Sequence, residues 1–216
     1  MLNLNLGALK SPTSASPKPL CASLPKRPMT KEQLINITIR GRFLFGICSL
    51  QKAINHWNFD NLNWQLLFDF LKKYPNGDEI RDLGLWHENQ AECIPFCVLD
   101  DKPYEECLFE FLSKTQYQYF KELYNRTNKE ICEIIDLTAH IGTQSLYGGV
   151  RDGSPITIEY LNRIIDILEK NCIEIPKLTD FEQFIYKSTE TDWIVWGDKI
   201  EIEIIETILN NNKTST

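Results

Sequence analysis

No apolar run in the 216-residue chain approaches the ~20 residues that a bilayer-spanning helix needs; the longest are on the scale of Phe43 to Cys48. A membrane-crossing segment is therefore not expected. Acidic side chains are absent from residues 1–28, which carry Lys10, Lys18, Lys26 and Arg27, so all 30 Asp and Glu residues lie from Met29 onward. Sequence signatures of chemistry are missing as well. There is no HExxH, no GxSxG and no paired-carboxylate metal motif, and Gly148 to Gly153 lacks the lysine of a phosphate loop and follows a helical pattern instead of a strand. No cofactor is expected.

The first segment is rich in proline and serine. Residues 10–28 (KSPTSASPKPLCASLPKRP) cannot bury enough apolar surface to offset the entropy of ordering, so 1–28 reads as a disordered leader. Residues 2–9 are interrupted by Asn and have no basic stretch before them, which makes a poor secretory signal. A Ser-rich, acid-free stretch also resembles an organellar transit peptide, although this one has a single arginine and no amphipathic period. Met29 stands where the composition turns globular, so a start at Met29 also accounts for the leader.

Hydrophobic residues at 43% and charged residues at 25% are ordinary for a folded protein. The apolar spacing is mostly helical. Thr30 is placed to cap a first helix in which Phe43, Ile47, Leu50, Ile54 and Trp57 share a face. Gly41 and Gly46 inside it point to close packing of a neighbour, and the alternating run at 35–39 keeps a strand open there. A short helix follows with Leu67, Phe70, Leu71 and Tyr74 inward, stopped at Pro75-Asn76-Gly77. The next has the stripe Ile80, Leu83, His87, Ala91 and Ile94.

Pro103 suits the first turn of a helix that turns Cys107, Leu108, Phe111 and Leu112 inward, and Tyr117 to Tyr124 gives a further aromatic turn. The clearest patterns are Asn128 to about Ser145, closed by Gly148-Gly149, and the helix begun by Ser154 as N-cap with Pro155 in its first turn. The latter buries Ile158, Leu161, Ile164, Ile165 and Leu168. After Pro176 a small β-hairpin and a terminal helix fit equally well. The expectation is a mainly α, compact, bundle-like multi-helix single domain over residues 29–209, with a frayed polar tail at 210–216.

Candidate chemistry is thin. His87-Glu88 with Cys93, Cys97 and Cys107 has the residue types of a metal site, but three apolar-context residues separate Cys93 from Cys97 where a structural zinc site has a CxxC knuckle. No metal is expected. The seven cysteines, an odd number that includes Cys21, Cys48, Cys132 and Cys172, read as reduced core thiols. His87 lies on the apolar stripe of its helix, His56 near a helix C-terminus, and His140 one position off an inward face beside Thr143 and Ser145. A small enzyme or metal protein using His87 or His140 in a helical cleft remains one functional alternative, and a scaffold or oligomeric interaction domain another.

The densest charge excess is the span 78–110. It holds Asp78, Glu79, Asp82, Glu88, Glu92, Asp100, Asp101, Glu105, Glu106 and Glu110 against only Arg81 and Lys102. Two readings fit it, a solvated face that maintains solubility and a docking surface for a basic protein. In the second, Asp78, Asp82, Glu88, Glu92, Asp100, Asp101, Glu105 and Glu106 supply the field and Trp86 and Tyr104 the aromatic anchors. A negative surface repels phosphate backbones and anionic headgroups, so neither nucleic acid nor membrane is expected as a partner.

The segments RGRFLFGICSLQKAINHW (40–57), LGLWHEN (83–89), EIIDLTAHIGTQSLYGGV (133–150) and SPITIEYLNRIIDILEKNCIEIP (154–176) resemble the small helical immunity proteins of bacterial polymorphic and contact-dependent toxin systems. The resemblance spans roughly residues 35–195. It implies a cytoplasmic binding protein with no catalytic residues of its own, which occludes the active surface of a cognate toxin. Where that toxin is a nuclease with a basic groove, an acidic protein mimics the phosphate field. The leader departs from the group's compactness.

Overall fold

Every residue from Ile39 to Leu50 is buried, and this single fact organises the architecture. A helix buried on all sides lies at the centre of a bundle. A computed structural model describes residues 34–78, 80–144, 146, 150, 152–186 and 195–213, with only the backbone described at 80, 81, 90 and 91. The leader at 1–28, Thr30, Gly148-Gly149 and Arg151 lie outside the described residues. The central helix, α1 (Ile39–His56), is capped by Thr38, whose hydroxyl accepts the Gly41 N–H. Around it pack α2 (Gln65–Asn76), α6 (Lys129–Thr143), α7 (Pro155–Lys170) and α8 (Ile202–Lys213). A second tier of α3 (Ile80–Ala91), α4 (Pro95–Val98) and α5 (Lys114–Asn125) closes over α2 and α6. The chain is thus a mainly helical, compact multi-helix domain with one continuous core.

Gly46 and Gly41 mark where neighbours come closest to α1. A Cβ on Gly46 would stand 2.5 Å from the Thr138 hydroxyl of α6, and one on Gly41 would stand 2.9 Å from the Phe184 Cβ. Both contacts are too short for any side chain, which gives the two glycines the packing role that their place in a helix suggests. The residues before α1 do pair, but only once: Ile37 forms a single antiparallel bridge with Ile185. Thr38 donates to the Phe184 carbonyl at 2.9 Å and Tyr186 to that of Asn36 at 2.9 Å.

Two arginines are enclosed with α1. Arg42 is fully buried and donates to the carbonyls of Ile35 (2.7 Å) and Gly153 (2.7 Å) and to the Thr157 hydroxyl (2.6 Å). Burial pulls its guanidinium down to about 10. Arg40 donates to the carbonyls of Pro75 (3.0 Å) and Gly77 at the end of α2. These cations serve as fasteners for turns, because a guanidinium presents several donors in fixed directions to carbonyls that helix ends leave unsatisfied.

The two clearest sequence patterns both form helices, although Ile158, expected inward in the second, is only half-buried and Thr157 is buried beside it. Asn128 accepts the Ile131 N–H at 2.9 Å and opens α6, which buries Ile131, Ile134, Ile135, Thr138 and Ile141. α7 buries Leu161, Ile164, Ile165 and Leu168. Ser154 does stand at its N-cap position, yet with φ at +58° its side chain makes no capping hydrogen bond.

After Pro176 the terminal-helix alternative is the one that forms. Among the described residues there is no hairpin after Pro176: Leu178–Phe184 forms a 3-10 helix, and the terminal helix α8 takes up the apolar pattern. Nor is the chain frayed from Asn210, because α8 continues to Lys213. Asn212 is 1% exposed, accepts the Lys177 N–H at 3.0 Å and donates to Asp180 at 3.2 Å. A polar side chain with that many internal partners is a core residue that composition alone reads as tail.

Candidate docking surface

The acidic run does not form one patch. Asp78 precedes α3 and pairs with Lys199 at 2.8 Å, while Asp82 occupies the first turn of α3, and both charges act on Arg40 together with Asp198. Asp100 and Glu92 instead gather with Asp136 around the thiol of Cys97, at the far end of the run. Glu88 lies exposed on α3 between the two groups.

Several of the expected docking residues are engaged inside the fold. Trp86 is 5% exposed, its ring edge-on to Phe43 at 5.2 Å and Tyr74 at 4.8 Å, and its Nε1 donates to the Phe70 carbonyl at 2.9 Å. It cannot anchor a partner. The sequence placed His87 on the buried stripe of α3 and Trp86 outside; the helix is rotated so that the larger apolar side chain, with the greater area to bury, takes the inward position. Glu92 is also committed. Its carboxylate accepts the N–H groups of Glu110 (2.6 Å), Phe111 (2.8 Å) and Leu112 (2.6 Å), a set of converging amides that holds an anion.

Tyr104 is half-buried, packed between Phe109 (5.8 Å) and Tyr117 (5.5 Å), and donates its hydroxyl to the Leu112 carbonyl at 2.8 Å. Beyond Glu92, the carboxylates of Asp100, Asp101, Glu105, Glu106 and Glu110 are all exposed, as are those of Asp78 and Glu88 earlier in the run. Glu105 pairs with Lys114, which lowers the carboxyl and raises the ammonium, and Asp100 pairs with Lys102 at 3.2 Å.

The expected helix after Pro103 is only a 3-10 turn, Tyr104–Glu106, and its supposed inward face is partly outward. Leu112 is buried, but Phe111 is exposed and Leu108 is 88% exposed. Helical periodicity failed here because Glu92 and Tyr104 bind the backbone of 110–112, which pulls it away from a helical path. Phe96, the second residue of α4, is 77% exposed. Phe96 and Leu108 border an open groove of about 710 Å³ between α4 and the segment 99–109, which Cys97, Cys132 and Asp136 also line.

Asp136 was not foreseen as a surface-forming group. It reaches this groove from α6, across 40 residues, and accepts the Phe96 N–H at 3.1 Å, so it fixes the start of α4. Burial pushes its carboxyl up to about 6. The available signal was an acid set between Ile135 and Leu137 in an otherwise apolar run.

The thiols of Cys48, Cys93 and Cys97 are poor nucleophiles, since the thiolate is the reactive form. Burial raises Cys93 to about 12 and Cys97 to about 11, and pushes Cys48 higher still. The imidazoles of His87 and His140 are both lowered by burial, His140 further by Arg163, so both are neutral near pH 7. His140 lies beside Tyr160, with ring centroids 5.3 Å apart. Among the described residues no group of three or more His, Cys, Asp and Glu is placed to hold a metal ion, and no helix is long and apolar enough to cross a membrane. The fold defines a class, a mainly helical, compact multi-helix single domain. Comparison with protein-family models, with curated proteins and with solved structures gives no match.

Proposed function

We propose that the chain is a non-catalytic, cytoplasmic binding protein that docks on a basic protein through the acidic face around α4. Within that class, it is an immunity protein that neutralises a cognate toxin by occluding it. The observation that carries this reading is that Asp100 and Glu106 border one groove with exposed Phe96 and Leu108, in a segment whose other acids, Asp101, Glu105 and Glu110, are exposed as well. A charged field steers an oppositely charged partner and raises association rates by about 10- to 1,000-fold, while apolar side chains inside it supply the contact that holds. The same field disfavours nucleic acid. A basic nuclease domain, whose groove is built for phosphates, is the toxin type that such a surface fits best.

The experiment pairs genetics with growth. A toxin-bearing gene is expected immediately beside the one encoding this chain, and co-expression of the chain is expected to restore growth to cells making that toxin's C-terminal domain. An isolated locus, a metabolic operon, or continued killing despite soluble chain contradicts the reading.

A further inference from the structure

Leu108 and Phe96 are the two most exposed large apolar side chains among the described residues, and they border the same groove. Each is outward for a local reason. In the one-turn helix α4, Pro95 and Val98 face the core and leave Phe96 on the outer side. Leu108 has φ at +52°, a left-handed backbone that a branched side chain adopts only under constraint. Glu92 imposes that constraint from the other side of the loop by binding the amides just beyond it. The fold thus holds two large apolar groups in water at a fixed spacing, with no part of the described chain covering them.

The charges around them select the occupant. Asp100, Glu106 and Asp136 line the groove with one cation, Lys102, which pairs with Asp100, so the lining carries more negative than positive charge. A second copy of this chain in the same groove would bring acid against acid, which costs affinity. A basic segment carrying a bulky apolar residue satisfies both the charge and the exposed surface.

We propose that this groove is the anchor site for the basic partner: a bulky apolar side chain of the partner seats against Phe96 and Leu108, and a flanking Lys or Arg lies against Asp100 and Glu106. The proposal rests on the reading of the chain as a docking protein, and it adds the contact that sets how long the partner stays. Steering by rim charges acts mainly on association, whereas a desolvated apolar anchor acts on dissociation.

The test uses the full chain and three fluorescently labelled synthetic peptides of equal length, one alternating Lys with Leu, one Lys with Ser, and one Glu with Leu. Anisotropy is expected to show tightest binding for the Lys/Leu peptide. Phe96→Ser with Leu108→Ser should weaken that binding by about tenfold or more, to the level of the Lys/Ser peptide, with no fall in melting temperature. Unchanged affinity of the double serine variant for the Lys/Leu peptide overturns the proposal. In that event Asp100→Lys with Asp101→Lys separates the two ideas: weaker binding there leaves electrostatic docking standing and removes only the groove, and silence at both removes both. A concentration-dependent dimer that the serine substitutions abolish would make a second copy the occupant and overturn the proposal as well.

Discussion

The carboxylate of Glu92 accepts the backbone N–H of Leu112 at 2.6 Å, and thereby ties the end of α3 to a loop 20 residues further along the chain. With the amides of Glu110 and Phe111 also bound, this acid organises the outward face of the molecule without being part of it. Hydrogen bonds to a charged group contribute about 1.5–3 kcal/mol each when buried and less when exposed, so Glu92→Ala should cost about 2 kcal/mol in total. Denaturant unfolding measures it, and hydrogen exchange should quicken at the amides of 110–112. A cost under about 0.5 kcal/mol, the size of an ordinary surface change, would remove this role.

The α1–α6 crossing depends on Gly46. Alanine there gains about 1 kcal/mol of helix propensity, but its Cβ would lie 2.5 Å from the Thr138 hydroxyl, and overpacking costs about 1–3 kcal/mol. Gly46→Ala should therefore lower stability despite its better intrinsic helicity, and Thr138→Ala in the same chain should recover part of the loss. A thermal melt of the two variants decides it; a higher melting temperature for Gly46→Ala alone would show that α6 does not pack this closely.

Asp136 makes stability depend on pH in an unusual direction for a carboxylate. Its folded carboxyl stands at about 6 against an ordinary 3.8, because burial disfavours the charge. The folded chain therefore binds this proton more tightly than the unfolded one, and the group's contribution to stability falls as pH rises through that window. Asp136→Asn keeps an oxygen to accept the Phe96 N–H and removes the buried charge. The variant should melt above the wild type at about pH 7.5, with the gap closing towards about pH 4.5. A gap that is constant across that range would mean that Asp136 ionises normally in the folded chain.

The parts of this architecture that sequence reveals are those where one local rule governs. α6 and α7 have long, regular apolar stripes with an Asn and a Pro at their starts, and both form, with only Ile158 of the expected inward residues left half-buried. The glycines of α1 likewise signalled close approach. Sequence fails where distant groups override local pattern. Trp86 and His87 sit on neighbouring positions of one helix, and only the aromatic pocket made by Phe43 and Tyr74 decides which of them turns inward. Leu108 reads as an inward helical residue until Glu92 is seen to hold the following loop in another shape.

The candidate surface was legible as an excess of charge and not as a place. Linear counting put Asp78 and Asp82 with the rest, whereas the fold sends them towards Arg40 and Lys199. Asp136 joins from α6, which no local spacing shows. The apolar members, Phe96 and Leu108, were missed because apolar residues are read as core by default, and only burial distinguishes a core side chain from a displayed one.

The association rate with the neighbouring toxin's C-terminal domain, measured at low and at high salt, tests the account most directly. Asp100→Lys with Asp101→Lys should slow association by about tenfold at low salt, and the two proteins should converge as salt rises, because exposed charges are screened beyond ~8 Å at physiological ionic strength. Equal rates for wild type and variant at both salt concentrations would contradict electrostatic docking by this face.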